Sequence, residues 1–279
     1  MKDIAHFLKQ IKLPHPDSHK GQNGKLLIIG GSKLFHAASK WSLDTASKFV
    51  DMVFYSSIPS NNKLIQEAKQ NFWNGIVVPR EEIENYINES DCILIGPGME
   101  RAEETEKIVN DLLSKYPNKK WVIDAGALQM VDPKLLNKNC IITPHQQELI
   151  RIASKLEPES SEINKQLSLE ELLKTVVSNF PILAQTTILL KGPVDQIFHQ
   201  DQQLQIEGGN AGMTKGGTGD VLAGLVASFY CKHDALISTV VGSYINKKAG
   251  DKLFEKVGPY FNASDLVEAI PEILWQEIQ

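Results

Sequence analysis

The chain has 279 residues, 42% of them hydrophobic and 23% charged, with a formal net charge of −5. That is the composition of an ordinary globular protein, long enough for one large α/β domain or two small ones. It argues against nonspecific nucleic-acid binding, which needs a basic face; the basic residues here are scattered.

The first fourteen residues, MKDIAHFLKQIKLP, lack the apolar core of a secretory signal, and no stretch reaches the roughly 18 apolar residues of a membrane span. Cys92, Cys140 and Cys231 lie in apolar segments without metal-ligand spacing, so buried thiols in a reducing compartment are expected. These features predict a cytoplasmic protein.

Short apolar runs then alternate with amphipathic stretches. Strands are predicted at Lys25–Ile29, Met52–Ser56, Cys92–Ile95, Trp121–Ile123, Cys140–Ile142, Thr187–Leu190 and Val194–Phe198. Helices are predicted at Ala37–Val50, Glu103–Tyr116, Gln146–Leu156, Leu169–Phe180, Asp220–Cys231, Ala235–Val257 and Ala263–Gln279. Such alternation implies βαβ units and a mostly parallel sheet covered on both faces. No internal repeat or low-complexity linker interrupts it, and residues 1–279 read as a single domain.

The strand ends carry the unusual residues. They are Gly30–Ser32 (GGS), Gly96–Met99 (GPGM), Asp124–Leu128 (DAGAL), Thr143–His145 (TPH) and Lys191-Gly192. Ligands of open parallel sheets bind at the carboxyl ends of strands, so five such ends suggest one crevice. Gly208–Gly224 reads GGNAGMTKGGTGDVLAG, seven glycines in seventeen residues. A glycine cluster implies unusual dihedrals or close backbone approach, and the apolar helix that follows makes this an anion site built on a helix start. It matches neither a Walker loop, lacking Gly-Lys-Ser/Thr, nor the dinucleotide fingerprint.

Each element has a plainer alternative. Asp220 either accepts a substrate hydroxyl proton or caps the helix. Lys191 either neutralises phosphate or is solvated. His145 and Glu148, three apart, either ligate a metal or cap a helix, and Asp124 either organises magnesium and water or caps the next turn. The remaining histidines (His6, His15, His19, His36, His199, His233) form no constellation, and Trp41, Trp73, Trp121 and Trp275 read as core or edge residues.

In order and together, GGS, GPGM, DAGAL, TPHQQE (143–148), ILLKG (188–192) and NAGMTKGGTGDVLAG (210–224) resemble the NAD(P)H-hydrate dehydratase family. The resemblance implies a three-layer ribokinase-like α/β domain with a mostly parallel central sheet. It also implies a reaction: the hydroxyl of a hydrated NADH or NADPH is phosphorylated from ADP or ATP, and phosphate is then eliminated. By position, Asp220 would be the base, and Gly216, Gly217, Thr218 and Gly219 would cradle the phosphoryl group. Lys191, Gly192, Pro193, Val194 and Asp195 would line the adenine-nucleotide site. Ala38, Gly98, His145 and Asp220 would contact the hydrated dinucleotide. Mg2+ would accompany the nucleotide, no protein-held metal is expected, and the resemblance leans towards a homo-oligomer.

Two departures fall on the dinucleotide side. Ala37-Ala38 replaces the usual Gly-Ala before a helix bulkier than the family's, and TPHQQE replaces TPHPGE. The phosphate loop is intact, so they bear on the substrate more than on the phosphoryl chemistry. The epimerase domain often fused to the family is not expected here. Two other readings are a vitamin-precursor kinase of the same superfamily and a non-catalytic nucleotide-binding relative.

Overall fold

The computed structural model describes residues 4–68, 75–157 and 167–279. Its strands are β1 (Lys25–Ile29), β2 (Met52–Ser56), β3 (Ile76–Val77), β4 (Cys92–Ile95), β5 (Lys120–Ile123), β6 (Cys140–Ile142), β7 (Thr187–Leu190), β8 (Asp195–His199) and β9 (Gln202–Ile206). The helices are α1 (Ile4–Leu8), α2 (His36–Ala46), α3 (Pro59–Ala68), α4 (Ile83–Glu89), α5 (Glu103–Lys115) and α6 (Ala125–Met130), then α7 (Gln146–Leu156), α8 (Leu169–Asn179), α9 (Pro181–Ala184), α10 (Thr218–Lys232), α11 (Ala235–Val257) and α12 (Ala263–Ile278).

All nine strands form one sheet in the order β3-β2-β1-β4-β5-β6-β7-β8-β9. β3 through β7 run parallel, and β8 and β9 are added antiparallel. The parallel strands are apolar throughout because both faces are covered. Side chains alternate across the sheet: Leu26, Ile28, Cys92 and Leu94 join α1, α2 and α10–α12 in one core, whereas Leu27, Ile29, Ile93 and Ile95 join α4–α9 in the other. The predicted three-layer α/β architecture is therefore the observed one.

The strand order has one functional consequence. From β1 the chain moves outward through α2 to β2 and β3, then returns to place β4 on β1's other side and continues through α5. α2 and α5 lie on opposite faces, so the loops after β1 and β4 part at a topological switch point, where such sheets open a crevice. The two loops touch there. Gly98, at φ 73°, leaves no room for a side chain, since a Cβ would lie 2.3 Å from the Phe35 carbonyl oxygen and 3.2 Å from the Gly31 Cα.

Several boundaries differ from the sequence reading. β5 begins at Lys120, and β8 runs Asp195–His199. α2 ends at Ala46, after which Ser47–Val50 make tighter turns that bring the Asp51 N–H onto the Gly24 carbonyl. α10 starts two residues early, at Thr218. β9 was invisible as QQLQI, and so was its hairpin, whose turn residues Gln200 and Asp201 take positive φ without a glycine. The short α1, α6 and α9 and the polar α3 and α4 were also missed.

The three cysteines are buried and unbridged. Trp121 is fully buried, Trp41 packs at the edge of the core and Trp275 is exposed, while Trp73 lies outside the described residues. Among the described residues no helix is long and apolar enough to cross a membrane.

Candidate active site

Asp220 stands in the first turn of α10, whose N-cap is Gly217 at φ 98°, a left-handed conformation. Glycine is required there twice over: a Cβ would also lie 2.5 Å from the Trp41 ring and 2.7 Å from the Ala263 Cβ. Ser42 of α2 donates its hydroxyl to the Asp220 carbonyl oxygen at 2.9 Å, pinning this turn to the neighbouring helix. Gly217, at the N-cap, has no side chain with which to cap the helix, and the Asp220 carboxyl in the first turn meets its own backbone N–H.

Its carboxyl pKa is pushed up to about 7, first by burial and second by the neighbouring Asp124 charge, with Lys191 opposing both. A carboxylate poised near neutrality is the form a general base needs.

Lys191 is not a solvated strand end. Its Nζ donates to Asp124 Oδ1 at 2.9 Å, and its side chain is 22% exposed. Burial disfavours its charge, but Asp124, Glu148 and Asp220 outweigh burial and the net shift is upward. The ammonium also lies 3.6 Å from where a Gly219 Cβ would stand, so it faces the helix start. Asp124 in turn accepts the Thr143 hydroxyl at 2.7 Å. It occupies the N-cap position of α6 without capping it, which corrects the capping reading.

His145 is the N-cap of α7. Its Nδ1 accepts the backbone N–H groups of Gln147 (3.1 Å) and Glu148 (3.3 Å), and the His145 N–H donates in return to Glu148 Oε2 at 2.9 Å. The capping expected of this pair is the arrangement observed. Gln146 and Gln147 take the first two helical positions and leave the reciprocal cap intact. His145 bridges to Lys191 across the sheet end with its ring about half exposed. Among the described residues no group of three or more His, Cys, Asp or Glu could hold a metal ion.

Beside this cluster opens a cavity of about 480 Å³, lined by Lys191, Gly192, Pro193, Asp195, Thr218 and Gly219 from the predicted set. Val194, Gly216 and Gly217 do not line it, although the sequence grouped them with those residues. Gly216 faces open space and Gly217 is turned into Trp41. The far wall comes from Gly208–Ala211, at the start of the glycine-rich stretch, and from Asn246 and Lys247 of α11, which were not foreseen.

Lys247 is 6% exposed and donates to the carbonyls of Gly192 (3.0 Å), Pro193 (3.1 Å) and Gly208 (3.1 Å), with Asp195 Oδ1 3.4 Å away. Asp195 also accepts the Gly192 N–H and the Ser243 hydroxyl. This network fixes the loop that forms the cavity floor. The only legible signal for Lys247 was a lysine inside the apolar-periodic helix Ala235–Val257. Asn246 Oδ1 is buried without a partner in the same wall.

Ala38 on α2 lies within 3.1 Å of the position a Gly98 Cβ would take, so the structure brings these two predicted residues together. They sit at the β1–β4 end of the crevice.

The chain matches the family model described as NAD(P)H-hydrate dehydratase over residues 26–272. It belongs to that family. It is 34% identical over 277 residues to the bifunctional NAD(P)H-hydrate repair enzyme Nnr of Methanocaldococcus jannaschii, covering 96% of this chain and 51% of that protein. It is 31% identical over 271 residues to the ADP-dependent (S)-NAD(P)H-hydrate dehydratase of Cenarchaeum symbiosum, covering 92% of this chain and 91% of that one. The chain thus spans about half the length of the bifunctional relatives it matches. A solved ribokinase-like superfamily protein from Enterococcus faecalis superposes with a TM-score of 0.81 at 26% identity, covering 98% and 94% of the two chains. An ADP/ATP-dependent NAD(P)H-hydrate dehydratase from Bacillus subtilis, crystallised with ATP and Mg2+, superposes at 0.75 and 21% identity, covering 99% and 97%, and supports the fold.

Proposed function

We propose that this protein is a nucleotide-dependent NAD(P)H-hydrate dehydratase, a lyase of metabolite repair. The observation that carries the reading is Asp220, a carboxylate with its pKa near 7, on the first turn of α10 between the nucleotide-sized cavity and the β1–β4 crevice. ADP or ATP occupies the cavity and the hydrated dinucleotide lies along the crevice by Ala38, Gly98 and His145. Asp220 accepts the ring-hydroxyl proton as that oxygen attacks the terminal phosphorus. The bond to the nucleotide breaks, leaving it one phosphate shorter. Loss of phosphate together with a ring proton then restores the dihydropyridine double bond.

The Gly219 amide and the Lys191 ammonium face the transferred group, so its charge meets donors already in place. Asp124 keeps Lys191 oriented. A magnesium ion brought with the nucleotide would be held mainly by the phosphates, with Asp124 available as a protein carboxylate, and would neutralise phosphate charge.

The test is to incubate the protein with hydrated NADH and ADP or ATP and follow the return of NADH absorbance. Recovery above the nucleotide-free rate supports the reading, and its absence with both nucleotides refutes it. The continuous nine-stranded sheet supports a single folded domain, and the three buried free thiols suit a cytoplasmic, reducing setting. Leu34 and Phe35, exposed beside the crevice, and Tyr260 and Trp275 elsewhere support a homo-oligomer, which light scattering in solution tests.

A further inference from the structure

A second cavity, of about 550 Å³, opens at the carboxyl ends of β1, β2 and β4, at the switch point. Gly31 and Met99, which flank the Gly98 contact, belong to its wall, so it continues the crevice past Ala38 and Gly98. Its volume lies in the range of sites that take a small organic ligand.

The chemistry of the wall is specific. Lys33 and Arg80 supply cations, Ser32 and Ser60 hydroxyls, and Glu100 and Glu104 carboxylates. Arg80 is the anomaly. Among the described residues its guanidinium makes no hydrogen bond, no carboxylate comes within 4.0 Å of it, and its Nη1 is buried without any partner. Glu104 and the Tyr55 hydroxyl act on it only at longer range. A cation withdrawn from water without a counter-charge is costly, and folded proteins retain such a group where a ligand completes it. Of the other buried polar groups nearby, Asn61 donates to the Ser32 carbonyl at 2.9 Å and Asn62 accepts the Ser57 N–H at 2.9 Å, while the Ser56 hydroxyl at the end of β2 is also buried without a partner.

We propose that this cavity takes the phosphate-bearing nucleoside half of the dinucleotide, with Arg80 and Lys33 holding a phosphoryl group and the two glutamates free to accept ribose hydroxyls. The inference rests on the dehydratase reading and extends it. Two to three strand spacings separate the end of β5, where Asp124 lies, from the ends of β1 and β2, roughly 10–15 Å. That is a span an extended dinucleotide bridges. A bare phosphate would not need the carboxylates, and an uncharged sugar would leave Arg80 unmatched.

The test measures binding of intact NADPH and NADH, the products of the repair reaction, by calorimetry to the wild type, Arg80→Gln and Lys33→Gln. Binding is read without turnover, so it stands apart from whether hydrates are repaired. Arg80→Gln should weaken dinucleotide binding about 10-fold or more, the scale of a lost charge-assisted hydrogen bond. Lys33→Gln, at an exposed side chain, should weaken it about 3-fold. ADP binding and the melting temperature should hold, whereas a structural guanidinium would lower the melting temperature. Loss confined to NADPH assigns the ribose phosphate to Arg80, and equal loss for both dinucleotides assigns the pyrophosphate. Unchanged affinity for both dinucleotides in folded Arg80→Gln overturns the proposal, as does an equal loss for ADP. Should Arg80→Gln not fold, Lys33→Gln decides: unchanged NADPH binding overturns it.

Discussion

The two ends of the crevice settle their charges differently. At the β7–β8 end, Lys191 is matched by Asp124, and Lys247 by Asp195 and three carbonyls, with Asn246 Oδ1 the one unmatched buried atom named there. At the β1–β2 end, Arg80 stands in the wall with no hydrogen bond or ion pair among the described residues, Glu104 acting on it only at longer range. The first end is preorganised: its donors are held by the protein, so a phosphoryl group meets them without reorganisation. The second end waits for its counter-charge from the ligand, which suits the part of a substrate that does not react and serves only to position it.

The largest expected effect lies at the boundary between the two ends. Asp220→Asn keeps size and shape but removes the proton acceptor, so turnover of hydrated NADH should fall at least ~100-fold while nucleotide affinity changes little. In the wild type, kcat/KM should rise with pH up to about 7, the pKa of Asp220. A variant with full activity would remove Asp220 from the chemistry.

Next comes the preorganised end itself. Lys247→Met leaves Asp195 buried and strips a donor from the Gly192, Pro193 and Gly208 carbonyls, which should cost about 3–5 kcal/mol of stability. It should also raise the KM for the nucleotide more than that for the hydrate. Denaturant unfolding together with the two KM values checks this, and equal rises would mean the network supports the whole crevice instead.

Adjacent glycines of the loop should then behave oppositely. Gly217→Ala must accept a positive φ and displace the Trp41 ring, a loss of about 1–3 kcal/mol. Gly216→Ala meets nothing within 4 Å and should stay within about 0.5 kcal/mol. Thermal melts of the pair show whether the loop's shape is set by packing on α2.

The smallest effect is a stability profile. Because the folded Asp220 pKa is raised from the ordinary 3.8 to about 7, the native state holds a proton that the unfolded chain releases between these values. Stability therefore declines as pH rises through that window. Asp220→Asn lacks this decline, so above pH 7 it should gain on the order of 1–3 kcal/mol over the wild type, relative to the difference between the two near pH 4. Parallel profiles for the two proteins would show that burial does not perturb this carboxyl.

What could be read in the chain was local. Six parallel strands were visible because strands buried on both faces are short apolar runs, the antiparallel β8 was placed beside them one residue early, and the phosphate loop was visible because seven glycines cluster before a helix. The edge strand β9 escaped because only its last residue, Ile206, is buried and its hairpin turn contains no glycine. Lys191, Asp124, His145 and Asp220 could be named as candidates, yet each kept a capping or solvated alternative, because spacing along the chain does not say which groups meet.

By itself the sequence determined the alternation of strand and helix, hence a parallel sheet with its informative residues at the carboxyl edge, and the glycine-rich start of α10. Only the tertiary structure decided which charges face one another. Lys191 and Asp124 are 67 positions apart, Lys247 and Asp195 are 52 apart, and Ser42 reaches Asp220 across 178. The pKa of Asp220 and the unmatched charge of Arg80 follow from burial and from neighbours brought by remote segments. Both are properties of packed space, which one-dimensional spacing cannot carry.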